Sequence, residues 1–224
     1  MKYLLVSINE SVASLLNMEG IISKDTNRYK KTLDFLKGYA KGKKMNNTLI
    51  ALSLAERYHK DQLRKSGDPF IIHPLRVCSY LISLKINDDI VCAAALLHEI
   101  TKKCDLPNYG EEIVTKYHLD KRVLSLIHLV ANVKQKPLDC YYQDLMENPD
   151  ALLIKLSNKA NTCTLLTSLT KEEVDKYIAE TNDYIIPLCE YGMSYYPNLS
   201  HQIEIMQFHI CSVCNIVDNL NKLL

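Results

Sequence analysis

The chain has 224 residues, of which 47% are hydrophobic, and its 27 Lys and Arg residues almost balance its 26 Asp and Glu residues, for a formal net charge of +1. This length predicts one domain with a sizeable core, and the hydrophobic content argues against a disordered chain. The charge balance argues against a nucleic-acid coat or a polybasic membrane binder, because both depend on a summed positive field. A small phosphorylated ligand needs only a few local cations and stays compatible with this composition.

The first residues show no targeting signal. The apolar run from Tyr3 to Ile8 is interrupted at once by Asn9 and Glu10, and no small-residue cleavage site follows. No apolar stretch reaches the roughly 20 residues that span a bilayer. We therefore expect a cytoplasmic protein without a membrane partner. The 8 cysteines agree with this, since several lie in apolar helical runs, where reduced cysteine acts as a small hydrophobe.

Low counts of glycine (6) and proline (7) favour long helices and an all-α fold. The Gly/Lys cluster at residues 41–44 is the best linker candidate, so we predict an N-terminal helical extension at 1–45, a domain at 46–198 and a C-terminal helix at 199–224. Apolar residues recur at helical spacing from Met45 onward, and Pro74 begins the next helix after a Gly/Pro loop. Further helices are predicted over about 89–100, 110–118, 120–132, 150–168, 171–191 and 199–223.

The helix over 89–100 is apolar on all sides as far as His98, which predicts a buried central helix. The last helix instead carries one heptad-like apolar seam. The seam either packs on its own domain or forms a homodimer contact, and both interpretations stay open. Cys211 and Cys214, close to His209, suggest a zinc or redox motif, but no second ligand pair is visible and we expect core packing. The seam residues are Ile203, Met206, Ile210, Val213, Val217, Leu220 and Leu224.

Three segments place polar residues at the edge of buried helices. His73 stands at a helix start, His98 and Glu99 follow the central apolar helix, and Asn158 lies inside a further apolar helix. Burying two imidazoles and a carboxylate is costly unless they are paired or bind a metal. This donor set suits Mn, Fe, Zn or Ni.

The three segments resemble the hydrolase domain of RelA/SpoT-type alarmone enzymes, within the HD superfamily of metal-dependent phosphohydrolases. The similarity runs from about Ala55 to Gly192, and several ordered matches over this length are more specific than one short motif. It implies the helical bundle of the HD domain. The matches are R-K-S-G-D-P-F-I-I-H-P to the family's R-K-S-G-x-P-Y-x-x-H-P, A-A-L-L-H-E to A-A-L-L-H-D, and K-L-S-N-K to K-L-A-D-R.

The resemblance implies a divalent metal, with Mn²⁺ first among the choices. In the family, the metal activates a water that attacks the 3′-pyrophosphate of guanosine tetraphosphate. The ligand positions of the family correspond here to His73, His98, Glu99 and Asn158. Asn158 replaces an Asp and Glu99 replaces the Asp of the His-Asp pair.

The resemblance also implies a phosphorylated purine nucleotide as the partner. Arg64 and Lys65 stand where the family contacts the nucleotide, and Thr162 stands where the family has an Asn. Lys102 and Lys103 replace the Glu-Asp pair that assists the proton transfer. We expect Lys102 to hold phosphate together with Arg64 and Lys65, and neither of the two lysines to be catalytic.

These departures reverse the charge of the site. Glu99 contributes one negative charge and Lys102 and Lys103 two positive ones, where the family has four carboxylates. At about 6 Å and an effective dielectric of about 20, each lysine repels a dication by roughly 5–6 kcal/mol before solvation reduces it. We therefore predict a retained nucleotide pocket with weak or absent hydrolysis. The alternatives are an active metal-dependent phosphohydrolase that uses His73, His98, Glu99 and Asn158, and an interaction module that dimerises through the last helix.

Overall fold

The computed structural model describes residues 26–64, 67–100, 114–132 and 135–223, with side chains from residue 29 to 222. The all-α prediction is confirmed, since the described residues pair as strands only in one isolated bridge between Leu63 and Pro69. The helices are α1 Thr26–Lys43, α2 Asn46–Tyr58, α3 Ile72–Ser83, α4 Asp89–Leu97, α5 Lys121–Val130, α6 Leu138–Met146, α7 Pro149–Cys163, α8 Lys171–Glu180, α9 Ile186–Tyr195 and α10 Ser200–Leu223, with short 3₁₀ turns at Leu166–Ser168 and Pro197–Leu199.

Local sequence explains where several helices begin. The Asp88 carboxylate accepts hydrogen bonds from the first turn of α4, and Asn148 does the same for α7, whose first residue is Pro149. Thr170 and Glu173 form a reciprocal capping box at the start of α8. These caps satisfy backbone N–H groups that helices leave without an internal partner.

The central helix is α4, as the sequence predicts. Every residue from Ile90 to Leu97 is buried, and α4 packs against α2, α3 and α5. At its start, the Asp89 carboxylate accepts hydrogen bonds from the backbone N–H groups of Asn47 and Thr48, which attaches α2 to α4. Because α4 is packed on several sides, its end holds the next two residues, His98 and Glu99, in defined positions.

Two predicted helices differ from the structure. The helix predicted over 150–168 already ends at Cys163, and the long helix predicted over 171–191 contains a π-helical turn at Thr181–Ile185. Pro187 explains that turn, because a proline ring would press on the carbonyl four residues earlier in a regular helix. Helix α6 is not among the predictions. Of the helix predicted over 110–118, residues 110–113 lie outside the described part of the chain.

The apolar seam of α10 packs on the same chain. Ile203, Met206 and Ile210 are fully buried, and α10 contacts α7 and α9. At the other end of the described chain, α1 buries Leu33 and Leu36 in the same core and packs against α2 and α3. The division of the chain into extension, domain and terminal helix stays a prediction, as does dimerisation.

The described helices include none that combines the length and the apolarity needed to cross a bilayer. The 24-residue α10 is the longest of them, and it carries charged side chains such as Glu204, Asp218 and Lys222.

Gly192 marks the closest approach of α9 to its neighbours. A Cβ atom added there would lie 2.9 Å from Ile203 Cδ1 and 3.0 Å from Leu152 Cδ1. We expect Gly192→Ala to lower the free energy of unfolding by about 1–3 kcal/mol, because overpacking forces neighbouring side chains to shift. Chemical denaturation measures the change. The matched control is Gly38→Ala in α1, where an added Cβ meets nothing within 4 Å and stability is expected to stay equal or rise; equal losses in both variants would contradict the packing argument.

Candidate active site

A pocket of about 360 Å³ opens beside the start of α3, the end of α4 and one face of α7. Its volume falls in the range of small-molecule sites. It brings together polar groups from three segments that are far apart in sequence. The lining residues are Leu63, Arg64, Phe70, His73, Glu99, Asn158, Thr162, Leu165, Ser168 and Leu169.

The loop before α3 delivers Arg64 to this pocket. Its two ends are joined by a hydrogen bond of 2.8 Å from Phe70 N to Gln62 O, and Arg64 N donates to Asp68 O at 2.8 Å. Gly67 donates its N–H to Arg64 O at 2.9 Å and adopts a φ of +86°, a left-handed conformation that glycine tolerates without strain. Backbone hydrogen bonds therefore hold Arg64 and Gly67 in place.

Two histidines and a carboxylate converge at the base of the pocket. One ligand atom from each of His73, His98 and Glu99 lies within 4.8 Å of the others. Both histidines are buried, whereas Glu99 is partly exposed toward the pocket, with its Oε1 3.6 Å from His98 Nε2. The imidazole rings meet edge to face with centroids 5.3 Å apart.

Both imidazoles use Nδ1 for hydrogen bonds within the protein. His98 Nδ1 lies 2.8 Å from Ala95 O, so it is the nitrogen that donates. His73 Nδ1 lies 2.7 Å from the side-chain oxygen of Asn161. Burial lowers the pKa of His73 to about 3, assisted by His98, so this ring is neutral at physiological pH.

The donor chemistry fits a divalent transition metal. Neutral imidazole and carboxylate are ligands that Mn, Fe and Zn accept, and the second ring N–H of a metal-binding histidine usually donates a hydrogen bond to a carbonyl or carboxylate. His73, His98 and Glu99 offer this set in one place, held by the ends of two helices. Among the described residues this is the one group of His, Cys, Asp and Glu side chains with such geometry.

The other predicted site residues lie partly at this pocket and partly beyond the described chain. Asn158 and Thr162 lie one turn apart on α7 and line the pocket, and Thr162 Oγ1 donates to Asn158 O at 3.0 Å. Lys65, Lys102 and Lys103 lie outside the described residues, so their roles stay predictions. The Cys211–Cys214 motif is not part of this cluster; Cys214 is buried in the core, as expected, whereas Cys211 is only partly buried.

Comparison with known proteins agrees with this geometry. The family model described as "HD domain" matches residues 51–138, which contain both histidines and Glu99. The guanosine-3′,5′-bis(diphosphate) 3′-pyrophosphohydrolase of Borreliella burgdorferi is 26% identical over 190 residues, which cover 80% of this chain and 27% of the relative. The pyrophosphohydrolase of the same name from Aquifex aeolicus is 31% identical over 146 residues, which cover 62% of this chain and 20% of the relative.

Residues 51–138 thus match the HD-domain model, and the chain is similar to ppGpp pyrophosphohydrolases. It spans only about a quarter of the length of these relatives. A solved structure described as a metazoan ortholog of SpoT that hydrolyzes ppGpp has the same fold, with a TM-score of 0.55 and 22% identity over 75% of this chain and 96% of that one. The HD-type helical bundle that the sequence predicts is therefore confirmed.

The chain also contains a largely buried ion network outside the pocket lining, which the sequence analysis does not single out. Lys159 of α7 is 4% exposed, and its Nζ lies 2.8 Å from Glu180 Oε2 and 3.5 Å from the centre of the Tyr177 ring. Lys155 Nζ lies 3.2 Å from Glu180 Oε1, and Tyr142 donates its hydroxyl hydrogen to the same oxygen. The network ties α7, which carries Asn158, to the end of α8.

Glu180 makes this network sensitive to acid. Burial raises the pKa of its carboxyl, but Lys155 and Lys159 outweigh burial and hold the pKa at about 2. Because this folded-state pKa lies below the unfolded value, the stabilisation is present above about pH 4.5 and is lost as the pH falls toward 2. We expect the free energy of unfolding to fall through this window.

Glu180→Gln tests the network directly. The variant is expected to lose about 2–3 kcal/mol at pH 7, because Lys159 stays buried without its counter-charge, and the loss is below that of a fully buried pair because Glu180 is one-third exposed. Urea titrations from pH 7 to pH 2.5 should show that acid lowers the free energy of unfolding less in the variant than in the wild type. Glu172→Gln, which removes an exposed ion pair with Lys176, is the control and should leave both quantities nearly unchanged. If acid lowers the free energy of unfolding of Glu180→Gln as much as that of the wild type, then Glu180 is not the source of the acid sensitivity.

Proposed function

We propose that this HD-domain protein binds a guanine nucleotide with a 3′-pyrophosphate in the pocket between α3, α4 and α7, with weak or absent hydrolysis. The observation that carries the proposal is the cluster of His73, His98 and Glu99 at the base of a pocket that Arg64 also lines. The names of the similar proteins, which include ppGpp pyrophosphohydrolases, support this choice of ligand. The cytoplasmic location expected from the sequence suits a free nucleotide.

In this proposal, His73, His98 and Glu99 hold a divalent metal, with Mn²⁺ as the first candidate and the Asn158 amide oxygen as a fourth, weaker ligand. Such an ion, when bound, neutralises pyrophosphate charge and lowers the pKa of a coordinated water. The protein contributes two buried imidazoles and one carboxylate at the edge of the pocket.

The nucleotide is held by groups on two sides of the pocket. Arg64, together with the predicted contribution of Lys65 and Lys102, supplies positive charge for phosphate oxygens. The hydroxyl of Thr162 adds a polar contact. Leu165 and Leu169 form an apolar part of the lining, which suits the face of a purine base.

We expect weak hydrolysis because three positions that carry carboxylates in the family carry other residues here. Lys102 and Lys103 occupy the positions of the family's Glu-Asp pair, and Asn158 replaces a ligand Asp. A lysine serves as a proton acceptor only when its pKa is strongly lowered. Asn158 is neutral and binds a hard dication less strongly than a carboxylate does.

The test is a panel of purine nucleotides that includes guanosine tetraphosphate. Binding is measured by calorimetry with Mn²⁺ or with a chelator, and products are followed by chromatography at high protein concentration. Selective binding of guanosine tetraphosphate with little or no product supports the proposal. Failure of every nucleotide to bind contradicts it.

A second candidate function is an active metal-dependent phosphohydrolase of nucleotide pyrophosphates. The short separation of the ligand atoms of His73, His98 and Glu99 favours it, because such a cluster can bind a metal before any contribution from Asn158. In the same panel, rapid turnover that a chelator abolishes would establish this candidate. The third alternative, an interaction module that dimerises through α10, has less support because four residues of the α10 seam, Ile203, Met206, Ile210 and Val217, are buried within the chain.

A further inference from the structure

Two buried hydrogen bonds join α7 to α3, the helix that carries His73. Ser157 Oγ donates to Val77 O at 3.0 Å, and Asn161 Oδ1 lies 2.7 Å from His73 Nδ1. Both donor–acceptor pairs are buried and link the same two helices. They differ in one respect, because only the second involves an imidazole of the metal-ligand cluster.

The partner atom on Asn161 decides where the imidazole proton lies. A side-chain amide oxygen only accepts hydrogen bonds, so a neutral His73 must carry its proton on Nδ1 to satisfy it. The lone pair is then on Nε2, and a metal binds an imidazole only through a nitrogen without a proton.

We propose that Asn161 is a positioning residue that holds His73 in the Nδ1–H tautomer and so directs the Nε2 lone pair to the cluster. The tautomer follows from the hydrogen bond alone, whereas its effect on metal binding rests on the proposed function. His98 obtains the same tautomer from the backbone carbonyl of Ala95, which no side-chain substitution removes. Asn161 is thus the point at which a single substitution acts on the protonation pattern of the cluster.

The first test is made on the metal-free protein by long-range ¹H–¹⁵N correlation of the imidazole nitrogens at constant pH. Wild-type His73 is expected to show a protonated Nδ1 and an unprotonated Nε2. Asn161→Leu, which keeps a similar volume without an acceptor, is expected to lose this single pattern. A proton on Nε2 in the wild type, or an unchanged pattern in Asn161→Leu, would overturn the proposal.

The second test is Mn²⁺ affinity, measured by the electron paramagnetic resonance signal of free Mn²⁺. Asn161→Leu is expected to weaken Mn²⁺ binding about 10- to 100-fold, as is usual when the hydrogen-bond partner of a ligand histidine is removed. Asn161→Asp keeps an acceptor oxygen and is expected to bind at least as tightly as the wild type. A loss in Asn161→Asp equal to that in Asn161→Leu would overturn the role of the acceptor.

Ser157→Ala is the matched control, because it removes the other buried hydrogen bond between α7 and α3 and leaves His73 intact. It is expected to lower stability but to keep the His73 tautomer and the Mn²⁺ affinity. Equal losses of Mn²⁺ affinity in Ser157→Ala and Asn161→Leu would assign both residues a structural role only and overturn the proposal. A wild type with the expected tautomer but no Mn²⁺ binding would instead contradict the proposed metal site and leave the tautomer assignment standing.

Discussion

His98→Ala is expected to weaken Mn²⁺ binding by at least about 100-fold and to abolish any metal-dependent turnover. His98 is 1% exposed and follows the rigid central helix α4, so no water or neighbouring side chain replaces its imidazole easily. Loss of one ligand from a set of three or four removes a large share of the binding free energy of the ion. Calorimetric titration with Mn²⁺ measures the change, and circular dichroism establishes that the variant is folded.

The control for this substitution is His209→Ala. His209 lies on α10, half-buried and edge-on to Tyr80, and it is not among the lining residues of the pocket. It is expected to keep the Mn²⁺ affinity of the wild type within about twofold. If His98→Ala also keeps the affinity while remaining folded, the ion binds elsewhere and the proposed centre is wrong.

Combining Glu99→Asp, Lys102→Glu, Lys103→Asp and Asn158→Asp is expected to raise Mn²⁺ affinity by at least about 100-fold and to produce measurable hydrolysis of guanosine tetraphosphate. The substitutions replace one negative and two positive charges by four negative ones, which matches the family pattern that the sequence resembles. A 100-fold change requires about 2.8 kcal/mol, at about 1.4 kcal/mol per factor of ten, which is about a quarter of the roughly 10–12 kcal/mol repulsion by the two lysines before solvation reduces it.

A surface variant separates site charge from total charge. Lys121→Glu combined with Lys171→Glu, at exposed positions on α5 and α8, makes the net charge more negative by about four units, against about five in the restored site, without touching the pocket. This control is expected to leave Mn²⁺ affinity unchanged. If the restored site gains no affinity over it, then charge is not the deciding term and the shape of the pocket has diverged.

Much of the fold follows from pattern alone. The continuous apolar run before His98 predicts a central buried helix, and α4 is central. A helix without a polar face would expose apolar side chains to water at any other position. The seam of Ile203, Met206 and Ile210 predicts a buried stripe on the last helix, and these residues are buried. The packing of α10 on α7 and α9 shows that its own chain covers these residues, which the sequence does not reveal because periodicity shows which face is apolar and not what covers it.

Interruptions within helices are harder to predict. At the π-helical turn before Pro187, the steric effect of one proline competes with a helical pattern that continues on both sides. Helix α6 was missed because its residues mix apolar and polar character, and it is held by contacts with α5, α7 and α9. In both cases tertiary packing decides between conformations of similar local free energy.

The residue types of the site and their order can be read from the sequence: a histidine in the first turn of one helix, a His-Glu pair after an apolar helix, and Asn158 in a third helix. The folded structure is needed to show that His73, His98 and Glu99 meet within 4.8 Å, that Asn161 bonds to His73, and that Lys159 pairs with Glu180. Hydrogen bonds and ion pairs between distant segments form or fail over a few tenths of an ångström, whereas helix formation and burial follow periodicities that a sequence displays directly.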